Sequence, residues 1–148
     1  MCMKYAIGSN IIIRTIKSEE NIDNFLNSFI NNNFDGDILS EGDKILGIEE
    51  GGNLIGAISL KLAKPSIYLD ALILPKYDNR KIVTDVLLTI VKYLHNIYKH
   101  RNIIVKSKKN DYAHRQVIEY LGFKRVEIDK ENGIYIYNIF VPNPNKEK

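Results

Sequence analysis

Apolar residues recur along this chain with two periods. Short β-branched runs alternate with stretches that repeat every three to four residues. The first run, Ile11-Ile12-Ile13-Arg14-Thr15-Ile16, reads as a strand. Ser18 follows as an N-cap, with Glu19 and Glu20 in the first turn, where the helix dipole favours carboxylates. Ile22, Phe25, Leu26, Phe29 and Ile30 then share one helical face, and residues 31–42 are polar and read as loop. Runs at 45–50 and 53–60 flank Gly51-Gly52, the pattern of a tight hairpin. Residues 67–74 form the next strand, closed by Pro75.

From Ile82 the apolar positions are Val86, Leu87, Ile90, Val91, Leu94, Ile97 and Tyr98, which predicts an amphipathic helix of about four turns or more. Residues 102–105 read as a short buried strand. Asn110 or Asp111 caps a second helix that turns Ala113, Val117, Ile118 and Leu121 inward, and Gly122 ends it. Strands at 123–128 and 134–141 surround a turn at Glu131-Asn132-Gly133, and the polar tail 142–148 reads as flexible. The order is strand, helix, loop, hairpin, strand, helix, strand, helix, two strands. It predicts an α/β chain: a mixed sheet with helices packed on it. At 148 residues this fits a single domain, with its core from about residue 11 to 141.

Composition narrows the function classes. The net charge of +3, from 21 basic and 18 acidic residues, is too small to argue for nucleic-acid binding. Lys106, Lys108 and Lys109 read as a solvated loop. With one cysteine, Cys2, no disulfide or cysteine metal site forms within the chain. His95, His100 and His114 lack zinc spacing, so no metal is expected. No apolar run is long enough for a membrane helix, and the N-terminal stretch lacks the apolar centre of a secretory signal. The expectation is a cytoplasmic protein with no membrane or nucleic-acid partner. Abundant Ile, Asn and Lys suit an AT-rich bacterial or viral genome.

Two places carry candidate chemistry. In "LILPKYDNRKIVTDVLL" a strand stops at a proline, and a charged turn opens a helix. Backbone N–H groups at a helix start attract anions; Arg80 and Lys81 add cations there, and Thr84 adds a hydroxyl. Asp70 stands inside the preceding apolar run, where burial raises a carboxyl pKa toward a useful value for a general base. Glu49 and Glu50 on the hairpin are second choices.

The element order, that stretch and "NDYAHRQVIEYLGF" together resemble the GNAT family of acyl-CoA-dependent N-acyltransferases, over about residues 11–141. In the family a strand ends at Pro, then comes Arg/Gln-x-x-Gly-x-Gly/Ala and a helix. A later polar-headed helix ends in Leu-Gly-Phe. Gly56 stands where the family often has a glycine. The resemblance implies a central mixed β-sheet flanked by helices. It implies acetyl-CoA as co-substrate, a small-molecule or protein amine as acceptor, and a homodimer through the last strands. It places the pyrophosphate on the turn Asn79, Arg80, Lys81, Ile82, Val83 and Thr84, and the CoA arm at Asn110 or Asp111, depending on a one-residue shift. Backbone N–H groups near Leu72, Ile73 and Leu74 would polarise the thioester carbonyl, and Asp70 would be the base.

The chain departs from the family pattern at several positions. Asp78 falls on the Arg/Gln, Asn79 on the next glycine, and Lys81 and Val83 on the two motif glycines. Ile118 falls on the tyrosine that protonates the departing thiolate, with Tyr112 and Tyr120 nearby in sequence only. Small phage proteins of GNAT-like fold, including internal virion proteins, also lack the glycines. "NRKIVTDVLLTIVKYL" and the His114 to Gly122 separation are similar to theirs, with Arg115 shifted by one. Two readings therefore stand. One is an N-acetyltransferase acting on a primary amine. The other is a catalytically degenerate GNAT-like scaffold in a virion, whose partners are other virion proteins.

Overall fold

Period-two runs of β-branched residues become strands that hydrogen-bond into an eight-stranded sheet. The computed structural model describes residues 3–17, 20, 44–63, 65–98 and 102–140. The expected helix over 22–30 with its Ser18 cap, the loop 31–42 and the tail 142–148 lie outside the described residues. The strands are β1 (Lys4–Ile7), β2 (Ile12–Arg14), β3 (Lys44–Glu50), β4 (Asn53–Ala63), β5 (Ser66–Ile73), β6 (Asn102–Lys108), β7 (Lys124–Asp129) and β8 (Ile134–Phe140). Their order across the sheet is β1-β2-β3-β4-β5-β6-β8-β7. All neighbours are antiparallel except β5 and β6, which run parallel. Parallel neighbours need a crossover, and helix α1 (Arg80–Ile97) supplies it. Helix α2 (Tyr112–Tyr120) joins β6 to β7.

The apolar stripe of α1 explains its position. Val86, Ile90 and Leu94 are fully buried, each worth about 1.5–3 kcal/mol of burial. Asn79 caps this helix by accepting from the Ile82 N–H at 3.0 Å. One turn further on, the buried Asp85 carboxylate accepts from the N–H groups of Ser9 (3.0 Å) and Asn10 (2.6 Å). That ties α1 to the turn between β1 and β2. The Gly51-Gly52 hairpin forms as expected, with φ of +58° and +86°, left-handed values that glycine adopts at no steric cost.

The structure alters several expectations. Residues 4–7 form an edge strand, where the reading began at Ile11; four residues are too few for a periodic signal. Tyr5 anchors it by meeting Tyr93 edge to face at 5.8 Å. The run at 11–16 contracts to Ile12–Arg14, and Arg14 is completely buried. Its Nε contacts Glu49 at 2.6 Å, and its Nη2 contacts Glu20 at 2.8 Å. Lys106 and Lys108 are the exposed positions at the end of β6, alternating with buried Ser107, and not a loop. Ala113 faces solvent at the edge of its helix's apolar stripe, and Ile97 is exposed because it is the last residue of α1.

Candidate functional site

The sheet opens at one point. β5 and β6 pair from Ser66↔Asn102 to Leu69↔Val105 and no further, although β5 runs to Ile73 and β6 to Lys108. Beyond Leu69 the partner of β5 is β4 alone, through Gly56↔Ile73. A cleft fills this fork. It is lined by Asp70, Ala71 and Ile73 of β5, and by Val105, Lys106 and Ser107 of β6. Val83, Val86 and Leu87 of α1 form one flank, and His114 and Ile118 of α2 the other. Its volume is about 60 Å³.

Gly56 permits close approach of β4 and β5, because a Cβ there would collide with the Leu72 carbonyl. The antiparallel ladder then decides which amides face the cleft. Leu74 N–H donates to the Ile55 carbonyl at 2.8 Å. Donors in such a ladder alternate in direction, so Leu72 N–H also faces β4, and Ile73 N–H faces the fork. Of the three expected carbonyl-polarising amides, Ile73 alone is placed to act.

Asp70 is the residue just past the last β5–β6 pair and a wall of the cleft. Burial pushes its carboxyl up to about 7. A hydrogen bond from the Ala71 backbone and the charges of His114, Lys106 and Lys108 oppose that shift only in part. The second-choice carboxylates lie elsewhere: Glu49 is held by Arg14, and Glu50 ends the hairpin strand.

The turn before α1 is a short 3₁₀ segment, Pro75–Tyr77, followed by Asp78 and the capping Asn79. Arg80 and Lys81 are exposed, whereas Ile82 and Val83 point into the core, Val83 at the cleft wall. Lys81 therefore does not obstruct the groove. Thr84 is half-buried and lies off the cleft. Asp111 is the N-cap of α2 and accepts from His114 N–H at 3.3 Å, while Asn110 is exposed in the preceding turn. Ile118 is buried against the cleft and has no proton to give. Tyr112 and Tyr120 point to solvent and do not replace it.

Sequence reasoning gave no site role to His114 or Ser107. His114 Nε2 lies 2.7 Å from Asp78 Oδ1, and its Nδ1 lies 3.0 Å from Asp111 Oδ2. The signal was its spacing: His114 precedes Ile118 by one helical turn and so shares its face. Ser107 was hidden among lysines. Among the described residues, no group of three or more His, Cys, Asp or Glu is placed to hold a metal ion, and no helix is long and apolar enough to cross a membrane.

No family model matches the chain, and no curated protein matches it. Solved structures do. A RimL ribosomal L7/L12 alpha-N-protein acetyltransferase superposes with a TM-score of 0.71 at 14% identity, over 95% of this chain and 99% of that one. A GNAT-family acetyltransferase from Bacillus anthracis gives 0.68 at 17% identity, over 93% and 98%. RimJ of Mycobacterium smegmatis, in complex with CoA-disulfide, gives 0.67 at 10% identity, over 98% and 88%. What this chain shares with them is architecture: its mixed eight-stranded sheet and helices have the fold of the GNAT acetyltransferases.

Proposed function

We propose that this chain is an N-acetyltransferase that moves an acetyl group from acetyl-CoA to a primary amine. The observation that carries the reading is the fork between β5 and β6, with a carboxyl raised to about 7 at its floor. A base with a pKa near the working pH is populated in its accepting form and still holds the proton it takes.

The residues present fit such a donor. The apolar flanks Val83, Val86, Leu87 and Ile118 suit an extended arm, and Ile73 N–H faces the position of its carbonyl. At the start of α1 the N–H groups of Arg80 and Lys81 precede the first intrahelical bonds, and their side chains are exposed cations able to meet phosphate. Asn79 is committed to capping and contributes only by fixing the turn. Acetyl-CoA supplies the activated acyl carbon. Asp70 takes one proton from the incoming ammonium; the amine nitrogen then bonds to the acyl carbon as the C–S bond breaks, and the departing thiolate takes up the second amine proton through solvent. Ile73 N–H stabilises charge on the acyl oxygen, and the α1 turn holds the anionic end. Asp111 and Asn110, at the start of α2, would meet the arm.

The catalytically degenerate reading, a scaffold for other virion proteins, draws on the glycine-free turn and on the committed Asp78 carboxylate. One experiment separates the two. Thermal unfolding with acetyl-CoA is expected to show stabilisation, about 2.7 kcal/mol at a hundred times the dissociation constant. The same donor should then label a member of a primary-amine panel. No shift at millimolar acetyl-CoA overturns the transferase reading.

A further inference from the structure

One carboxylate and one imidazole bridge the flanks of the cleft, and the chemistry proposed above gives their contact no role. Asp78 belongs to the turn that opens α1, and His114 lies in the first turn of α2. Their 2.7 Å contact joins one flank of the cleft to the other at the helix N-termini. Asp111 steadies the ring from behind, through Oδ2 to Nδ1 and through the cap on His114 N–H. His114 is itself a wall of the cleft. The cleft holds about 60 Å³, whereas pockets for small organic ligands measure roughly 300–1,000 Å³. An arm running from the α1 turn into the fork has to pass between these two flanks.

We infer that the Asp78–His114 contact is a bolt across this cleft and determines which acyl donors enter it. The inference rests on the donor reading of the fork. A pantetheine-type arm passes only when the contact parts, so the free energy of the contact is subtracted from donor affinity. The pair is about one-third exposed, at 31% for His114 and 34% for Asp78, which keeps that cost modest and the bolt openable. Asp78 has a second effect once freed: its charge disfavours an arm that ends in phosphates. The bolt acts on any arm, and the charge acts on phosphorylated arms alone.

Calorimetric titration of the whole chain with CoA and with pantetheine, which has no phosphate, tests this. The proteins are the wild type, Asp78→Ala, His114→Ala and the double variant. A bolt predicts that both single variants bind pantetheine about three- to fivefold tighter than the wild type, and that CoA gains more from Asp78→Ala than from His114→Ala, which leaves the carboxylate free. It also predicts that the double variant binds pantetheine no tighter than either single one, because both substitutions remove one contact. Wild-type binding that neither substitution alters overturns the bolt and leaves the donor reading in place. Tightening of CoA alone, and in Asp78→Ala alone, assigns Asp78 a purely electrostatic role and also overturns the bolt. If no protein binds either probe, bolt and donor reading fall together. If only the variants bind, the bolt stands and the wild-type transferase reading falls.

Discussion

Two sets of charged side chains meet the sheet, and their carboxyls are driven in opposite directions. At Arg14 the cation is fully buried, with Glu20 and Glu49 against it. The hydrogen bond from the guanidinium holds Glu20 down to about 2, despite the opposing effect of its own burial. At the fork, Asp70 has no such partner, and burial raises it to about 7. Both carboxyls have lost water. One gained a permanent cation and became a structural fastening, and the other kept a proton that it exchanges near neutrality. A carboxyl shielded from water thus titrates high or low according to whether a cation stands beside it.

The largest effect should come from breaking the brace. Arg14→Met leaves two carboxylates partly buried without their cation, and a loss of about 3–5 kcal/mol in urea unfolding is expected. A loss under about 1 kcal/mol removes the distinction drawn here. At the other site, Asp70→Asn should cut acetyl transfer about a hundredfold or more, to whichever amine the wild type acetylates, while the fold persists. An unchanged rate would discard Asp70 as the base.

The pH dependences sharpen the contrast further. The folded value of Asp70 lies above its ordinary 3.8, so folding favours the protonated form. Its contribution is complete below 3.8 and is lost as pH rises through 7. Between pH 4 and 8 the wild type should lose on the order of 4 kcal/mol relative to Asp70→Asn. Glu20 behaves oppositely: its folded value of about 2 lies below 4.5, so its contribution is present above 4.5 and lost as pH falls through 2. Thermal melts of wild type and Asp70→Asn across that range give the measurement, and parallel curves would refute the assignment. The smallest effect is Asn79→Ala, which removes the α1 cap and should lower stability by about 1 kcal/mol without moving the Asp70 titration.

Much of this was legible in the residues themselves. The Gly51-Gly52 turn, the buried stripe of α1, the Gly122 stop and the order of strands and helices from residue 44 to 140 follow from local period and turn chemistry. So did the position of Asp70 within an apolar run. The β1 edge strand escaped because it is four residues long and is held by a distant tyrosine, Tyr93. The role of Arg14 escaped because a cation in a β-branched run reads as a solvent-facing position until both acidic partners arrive from elsewhere in the chain.

Periodicity along the chain thus determined which segments become strands and helices, since side-chain direction repeats every two or 3.6 residues. Only the tertiary structure decided that β5 and β6 part after Leu69, that Ile73 and not Leu74 turns its N–H into the gap, and that His114 reaches Asp78 across it. Those are relations between segments far apart in sequence. Register and helix placement set them, by packing against the whole core, and no local stretch of residues encodes that.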